Sequence, residues 1–412
     1  MAVIKPFKAL RPQPGIASGL ASRPYDVLNR AEALQEAEGN PYSFYHISKA
    51  EIDLPAEVDI HDESVYEKAR ENLHIFQKEN FLFVEEKPCY YIYQLTMNGK
   101  SQTGLVAVSS VLDYENEVIK KHELTRPEKE QDRINHILTT RAQTGNVFLA
   151  YRTVPDLQAL ISHHKATHES TYDFTADDGI GHRLWIVDSD EEIKKITELF
   201  SSRVSVTYIA DGHHRAASAA KAAQKLSAGK YDPASSCSFF LTTLFPDNEL
   251  QIIDYNRLVK DLNGLGKEIF LSRLEYDFEV TKVGETRVKP AESHEFGMYL
   301  DGNWYKLAAK ENTDTSDVIG RLDVSILQNK VLDKLLGIKN PRTDNRVDFV
   351  GGIRGLKELE QRVNSGEMTI AFALHPVTME QLFEVADAGK IMPPKSTWFE
   401  PKLRDGLLTH LI

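Results

Sequence analysis

Residues 204–224 change from a strand pattern to a helix pattern within a few positions. The first part, residues 204–210, is rich in β-branched and aromatic side chains, which favour strands. The last part, residues 216–224, is rich in alanine, the residue with the highest helix propensity. Between them lie an acid, a glycine, two histidines and an arginine, at 211–215. This order predicts a strand, a polar turn and a helix whose small side chains let it pack closely on a sheet, so the fold must contain both element types.

Turn signals elsewhere indicate hairpins interspersed with helices. Asn98-Gly99 and Asp301-Gly302 each join two runs of strand-forming residues. Residues 64–80 have apolar side chains at helical spacing. We therefore expect an α+β fold with mixed sheets rather than a doubly wound parallel sheet. A chain of 412 residues suits two or three domains, and we divide it into residues 1–245 and an α+β region at 246–412.

Composition excludes several classes of function. The chain carries 49 Lys and Arg against 61 Asp and Glu, a net charge of -12, which argues against a DNA- or RNA-binding surface. No segment approaches the ~18 apolar residues that span a bilayer, and the N-terminus lacks a signal-peptide pattern, so we expect a cytoplasmic protein without membrane contact. The two cysteines, Cys89 and Cys237, are far apart, which argues against a disulfide framework and cysteine-bound zinc.

The turn at 211–215 carries the clearest chemical signal. A helix that starts after Gly212 presents unpaired N–H groups to the turn, where anions bind readily. Glycine lets a ligand approach the backbone, His213 and His214 supply side-chain donors, and Arg215 can hold a phosphate or carboxylate with two hydrogen bonds. Asp211 either takes part in this chemistry or only caps the helix.

A metal site is the rival interpretation of this turn. Asp211, His213 and His214 are metal-ligand types, but adjacent residues rarely ligate one ion well, and we predict no metal ligands. His164 and His168 lie four residues apart without the glutamate of a zincin motif, so we interpret them as part of a surface helix.

Two further polar segments are candidates for the site. Asp26 follows Pro24 and Tyr25 in "SRPYDVL" and is either functional or a turn-capping residue. The segment "KKHELTRPEKEQDRI" contains both charge signs; a solvated face is the ordinary explanation, but its order also suits a loop that closes over a phosphorylated ligand. The substrate-binding candidates there are His122, Glu123, Thr125 and Arg126.

The tail "MPPKSTWFEPKL" is the third candidate segment. Two prolines stiffen its approach, and Lys395, Ser396 and Thr397 then offer an ammonium group, two hydroxyls and backbone donors to an anion. It lacks the glycines of a Walker loop. Trp398 and Phe399 anchor this segment in a core or stack on a base, the first being the more usual role of aromatic side chains.

Together, "SRPYDVL", "KKHELTRPEKEQDRI", "IADGHHR" and "MPPKSTWFEPKL" resemble the DUF1015 family over nearly the whole chain. That family is placed in the ParB/sulfiredoxin superfamily, which includes nucleotide-dependent free L-serine kinases, a reductase and nucleotide-gated DNA-binding proteins. The resemblance implies that residues 1–245 form a ParB/sulfiredoxin-like nucleotide-binding core with insertions. The region 246–412 would then return a loop to the active site.

The resemblance also implies roles for single residues. Gly212, His214 and Arg215 would hold the nucleotide phosphates. Lys395, Ser396 and Thr397 are further cofactor-binding candidates because of their own donor groups. Asp211 and His213 would take part in catalysis. The base that activates the serine hydroxyl would fall on Asp26, although the kinases place their acidic residue in a different local context.

We therefore expect a phosphotransferase that uses ATP or ADP with Mg²⁺ and acts on serine or phosphoserine. A nucleotide-binding regulatory protein without turnover and a metal-dependent hydrolase are the alternatives. The acidic charge and the lack of a helix-turn-helix pattern argue against a DNA-binding form of the regulatory protein.

Overall fold

The computed structural model describes residues 1–310 and 317–412. The strands are β1 (Ile4–Lys5), β2 (Leu10–Pro12), β3 (Leu82–Val84), β4 (Tyr90–Met97), β5 (Lys100–Ser110), β6 (Ile119–Lys120), β7 (Ala142–Gln143), β8 (Val147–Tyr151), β9 (Tyr172–Thr175), β10 (Gly181–Val187), β11 (Thr207–Asp211), β12 (Phe239–Pro246), β13 (Ile252–Ile253), β14 (Tyr255–Val259), β15 (Phe278–Gly284), β16 (Glu295–Leu300), β17 (Asn303–Ala309), β18 (Val347–Gly351), β19 (Ile370–Leu374), β20 (Trp398–Phe399) and β21 (His410–Leu411).

The α-helices are α1 (Ala17–Leu20), α2 (Arg30–Ala37), α3 (Tyr45–Ser48), α4 (Glu63–Lys78), α5 (Val111–Glu115), α6 (Pro127–Thr140), α7 (Pro155–Thr167), α8 (Asp190–Arg203), α9 (His213–Ser227), α10 (Lys267–Leu274), α11 (Asp323–Leu327), α12 (Gly355–Asn364) and α13 (Met379–Asp387). Within the two described ranges, every helix falls short of the length and apolar character that crossing a bilayer requires.

The chain folds into two compact units. Unit 1 consists of Met1–Leu250 and Pro401–Ile412, and unit 2 of Gln251–Glu400. The last residues of the chain therefore belong to the same unit as the predicted anion-binding turn, where β21 pairs with β7.

Unit 1, all of whose residues are described, is built on a nine-stranded mixed sheet in the order β6-β11-β8-β12-β5-β4-β10-β9, with β1 beside β5. β11 pairs parallel with β6 and antiparallel with β8, and β8 pairs parallel with β12. The remaining pairs are antiparallel, including the β4–β5 hairpin at Asn98-Gly99. The predicted combination of helices with a mixed sheet is confirmed for this unit.

Helix α9 packs on the sheet and on α6 through its alanine face. Ala216, Ala219, Ala220 and Ala223 are all buried in the core cluster that also contains the sheet residues Leu149 and Ile209. Because alanine has no side chain beyond Cβ, the helix axis can approach its neighbours closely, as the sequence predicts.

The described part of unit 2 contains a six-stranded sheet in the order β15-β17-β16-β19-β14-β18. All its strand pairs are antiparallel, including the hairpin β16–β17 at Asp301-Gly302. The expectation of mixed sheets therefore does not extend to this unit. Its core includes Trp304 and Leu258, both fully buried, with Leu359 of α12 packed on them.

Candidate functional site

The start of α9 is a backbone turn of one residue. β11 extends to Asp211, so the acid closes the strand rather than lying in the turn, and α9 begins at His213. Gly212, between them, has φ 91°, a left-handed conformation that favours glycine. Gly212, the N-cap residue of α9, has no side chain that could cap this helix end. The first N–H groups of α9, with the positive end of the helix dipole, therefore remain available to an anion.

Arg215 lies behind this turn, at the centre of a group of acids. Its side chain is only 6% exposed. The guanidinium donates to the Asn146 carbonyl oxygen and, over 3.2 Å, to Asp211 Oδ2, and it lies 3.8 Å from Asp26 Oδ2. Burial alone would lower the pKa of Arg215, but Asp26 and Asp211 outweigh it and raise that pKa. Arg215 thus joins two predicted catalytic carboxylates, while its buried Nε has no hydrogen-bond partner in the described structure.

Asp211 is held in its charged form by two cations. Its side chain is 31% exposed, and Lys402 Nζ lies 3.3 Å from Oδ2. Burial raises the pKa of Asp211, but Lys402 and Arg215 together hold it below the usual range. Asp211 is therefore a carboxylate near neutral pH, anchored on one side and open to solvent on the other.

Asp26 is positioned by a short 3-10 turn, Tyr25–Val27, that follows Pro24. The Arg133 guanidinium lies 4.0 Å from the centre of the Tyr25 ring, and Arg133 pairs with Asp132 over 2.7 Å. The Asp26 side chain is 32% exposed. The predicted base, Asp26, therefore lies on a turn that the Arg133–Tyr25 contact holds in place, and its side chain is still accessible to solvent.

Asp405 belongs to the same group of charges, although no sequence motif points to it. It is 2% exposed, and neither of its carboxyl oxygens has a hydrogen-bond partner in the described structure. Burial raises the pKa of Asp405 to about 7, Arg215 opposes that rise and Asp26 adds to it. The Tyr25 N–H also lowers the pKa of Asp405, although its position relative to the carboxyl oxygens does not satisfy the geometry of a hydrogen bond. We call Arg215 with Asp26, Asp211 and Asp405 the Arg215 cluster.

The loop before β8, residues 144–146, contacts Arg215 through its backbone. A Cβ at Gly145 would lie 3.0 Å from Arg215 Cδ, so glycine leaves room for that side chain. Beside it is a cavity, whose lining includes Tyr25, Arg133, Gln143, Thr144, Gly145 and Arg215. "QTGN" at 143–146 contains a turn-forming glycine, but nothing in that pattern specifies an arginine partner.

The loop before α6 docks on the start of α9. The His122 N–H donates to His213 Nε2, and the Arg126 N–H donates to His214 Nδ1, each over 3.4 Å. The His122 and His213 rings meet edge to face, 4.6 Å apart. His213 Nδ1 lies 3.9 Å from Glu123 Oε2. The structure therefore brings the predicted substrate-binding segment, including the half-buried Thr125, to the predicted anion-binding helix end.

The histidines of this contact are neutral. Burial lowers the pKa of His213 to about 3 and that of His122 to about 3. Burial also lowers the pKa of His214, and Lys129 adds to that effect. Neutral imidazoles accept hydrogen bonds at one nitrogen, as His213 and His214 do here, and donate at the other.

Lys395, Ser396 and Thr397 lie in unit 2, in the turn before β20. Lys395 has φ 59°, and its carbonyl oxygen accepts a hydrogen bond of 2.9 Å from the buried Arg257. Ser396 Oγ donates to the Pro393 carbonyl oxygen over 2.7 Å. These contacts fix the turn within unit 2, and the cofactor-binding role of the three residues stays a prediction.

The metal interpretation of the turn gains no support from the geometry. Among residues 1–310 and 317–412, the group of three His, Cys, Asp or Glu ligand atoms that converges is formed by His164, His168 and Glu192, not by residues 211–214. The surface interpretation of His164 is wrong: its side chain is 1% exposed, because the helix face that carries it packs towards α8.

Comparisons with known proteins identify a family. The family described as "Protein of unknown function (DUF1015)" matches residues 4–325. A search of curated proteins gave no match.

The solved structures that are weakly similar to this chain include the following three proteins. A free serine kinase variant in complex with AMP is 14% identical with a TM-score of 0.35, covering 71% of this chain and 89% of that one. A conserved hypothetical protein from Pyrococcus furiosus is 15% identical with a TM-score of 0.34, covering 71% and 91%. SbnI with C-terminal truncation, from Staphylococcus aureus, is 10% identical with a TM-score of 0.38, covering 74% and 87%. Similarity at this level does not establish a shared fold, so the chemistry of the site has to come from its own residues.

Proposed function

Because this chain belongs to the DUF1015 family, whose description states no function, we propose a function from the site itself. The proposal is a phosphotransferase that uses ATP or ADP with Mg²⁺ and transfers a phosphoryl group to the hydroxyl of a small amino acid. The motif resemblance supplies serine, or phosphoserine in the reverse direction, as the candidate substrate. A ParB/sulfiredoxin-like core in unit 1 and a cytoplasmic location are part of this proposal.

The observation that carries the proposal is the juxtaposition of an uncapped helix end with two carboxylates. The N–H groups at the start of α9 attract phosphate oxygens, and Gly212 leaves room for them. Asp26 and Asp211, both about one-third exposed, are held beside that end by one guanidinium. Phosphoryl transfer needs this combination, since most of its catalysis comes from positioning and charge stabilisation.

Each group then has a role. The α9 backbone and His214 bind the nucleotide phosphates, and the segment 121–126 covers them. Arg215 adds positive charge near the phosphates and holds the carboxylates of Asp26 and Asp211 close to each other. The supply of phosphate ligands by Lys395, Ser396 and Thr397 remains part of the proposal.

Asp26 and Asp211 have the donor chemistry for Mg²⁺, which prefers carboxylate, phosphate and water oxygens. A bound Mg²⁺ would neutralise charge on the phosphates. In the forward reaction the serine oxygen forms a bond to the terminal phosphorus while the bond to the nucleotide oxygen breaks. The hydroxyl proton passes to Asp26, which lies 3.8 Å from Arg215, because Asp211 is more closely paired, with both Lys402 and Arg215.

The experiment compares Asp26→Asn with the wild type. We expect turnover of serine to fall about 10²–10⁴-fold, as for loss of a general base, while ADP binding measured by calorimetry persists. Asp177→Asn, which changes an exposed acid in the β9–β10 turn, is the matched control and should leave both quantities unchanged. Equal turnover in Asp26→Asn and wild type would contradict the assigned base. Nucleotide binding without any product in the wild type would favour the regulatory alternative.

A further inference from the structure

Two histidines and a glutamate meet where α7 ends and α8 begins, in a cluster that the proposed function does not use. His164 lies in the last turn of α7, His168 directly follows that helix, and Glu192 is in the first turn of α8. One ligand atom from each residue lies within 4.8 Å of the others. We call these three residues the α7–α8 cluster.

The distance between His164 and Glu192 fits two ligands of one ion. His164 Nδ1 lies 3.1 and 3.2 Å from the two carboxylate oxygens of Glu192. Zinc bonds of about 2.0–2.1 Å at a tetrahedral angle separate adjacent ligand atoms by about 3.3 Å. A hydrogen bond also explains this pair, so the third member of the cluster decides between the two interpretations.

His168, the third residue of the cluster, contacts His164 through both its ring and its Nδ1 atom. Its ring stacks on that of His164 with centres 4.1 Å apart and planes at 9°. His168 Nδ1 lies 3.1 Å from the His164 carbonyl oxygen, which can only accept a hydrogen bond. Nδ1 therefore carries the proton and Nε2 keeps its lone pair, the tautomer that metal-binding histidines adopt when a carbonyl orients them.

Burial and charge also favour a cation here. His164 is 1% exposed, and this packing holds its Nδ1 beside the carboxylate of Glu192. A metal ion lies in the plane of each imidazole that binds it, so His168 has to turn out of its stacking contact with His164 to share an ion with it, and its exposed position allows that rotation without disturbing the core.

We propose that the α7–α8 cluster binds one Zn²⁺ or a similar divalent transition metal through His164, His168 and Glu192, with water completing the coordination. A nitrogen-rich set with one carboxylate selects such ions over Mg²⁺ or Ca²⁺. The ion ties the end of α7 to the start of α8. This proposal does not depend on the proposed phosphotransferase activity.

The test is calorimetric titration of the full chain, without a histidine tag, with Zn²⁺. We expect one Zn²⁺ per chain, a higher Tm in its presence, and a Kd raised at least about tenfold in His168→Ala and in Glu192→Gln. Both changes spare the buried His164, so the variants should fold. His163→Ala removes an exposed histidine next to the cluster and should leave the Kd unchanged.

Titration with Co²⁺ supplies an independent reading of the ligand set. Tetrahedral Co²⁺ absorbs visibly, and this absorption should be weaker in His168→Ala than in His163→Ala. No Zn²⁺ binding by the wild type, or a Kd that His168→Ala and Glu192→Gln leave unchanged, would overturn the proposal and leave a His164–Glu192 hydrogen bond only.

Discussion

Arg215 is surrounded by more carboxyl groups than its single charge can neutralise. Its guanidinium faces Asp26 and Asp211, and Asp405 lies close enough for the charge of Arg215 to act on its pKa. The sequence predicts Arg215 as a phosphate ligand. In the structure it is buried and paired, which adds the role of a positioning residue that orders the acids of the site.

Removal of this guanidinium should destabilise unit 1. Arg215→Ala leaves Asp26 and Asp211, each about one-third exposed, without their shared cation, so we expect a loss smaller than the roughly 3–5 kcal/mol typical of fully buried ion pairs. We expect Arg215→Lys, which keeps the charge but not the planar geometry, to lose less. Urea unfolding followed by circular dichroism measures the free energy of unfolding of both variants. A loss below about 1 kcal/mol for Arg215→Ala would show that the pairs contribute little.

Asp405 should make stability depend on pH. Its pKa is about 7 in the folded chain, against an ordinary value of 3.8. The folded state therefore holds the proton more tightly, so this group's contribution is fully present below about pH 4 and is lost as pH rises towards 7. Three pKa units correspond to at most about 4 kcal/mol.

The measurement is the free energy of unfolding in urea at pH 5 and pH 8. Asp405→Asn stays neutral at both pH values, so the change in the free energy of unfolding from pH 5 to pH 8 should be more positive in this variant than in the wild type. His213 and other buried histidines titrate in both proteins, so the comparison with wild type isolates Asp405. An unchanged pH dependence would contradict a raised pKa at this position.

At the scale of elements, the path from β11 to α9 depends on Gly212. Alanine there adopts a left-handed conformation at a cost of roughly 1–2 kcal/mol, and its Cβ would lie 3.1 Å from Arg215 Nε. Gly229, past the other end of α9, has φ 75° and open space around its Cβ position. We expect Gly212→Ala to lower both the free energy of unfolding and the affinity for ADP. Gly229→Ala should lower the free energy of unfolding by a smaller amount and leave the affinity for ADP unchanged. Calorimetry and urea unfolding measure the two quantities, and equal effects of both variants would contradict a special role for Gly212.

Elements with local signals could be predicted from the sequence. β-branched residues followed by alanines predict β11 and α9, and Asn98-Gly99 fixes the β4–β5 hairpin, because these preferences act over a few residues. The one-residue turn and the end of β11 at Asp211 could not be predicted, since pairing with β8 extends the strand.

At the scale of the whole molecule, interactions between distant residues limit what the sequence predicts. The sheet order of unit 1 joins strands far apart in the chain, and no local pattern encodes it. Residues 401–412 belong to unit 1, which brings Lys402 and Asp405 to Asp211 and Arg215. Likewise, Glu192 completes the α7–α8 cluster from another helix, so a search of one segment for a metal motif could not find it.

The most direct test of the proposed function is ³¹P NMR of the purified full chain with Mg²⁺, L-serine and either ATP or ADP. We predict that a phosphoserine resonance grows as the terminal phosphate of one nucleotide disappears, and that Asp26→Asn slows this growth about 10²–10⁴-fold while Asp177→Asn leaves it unchanged. Nucleotide that stays intact under both conditions, or phosphate released without phosphoserine, would contradict a phosphotransferase acting on serine.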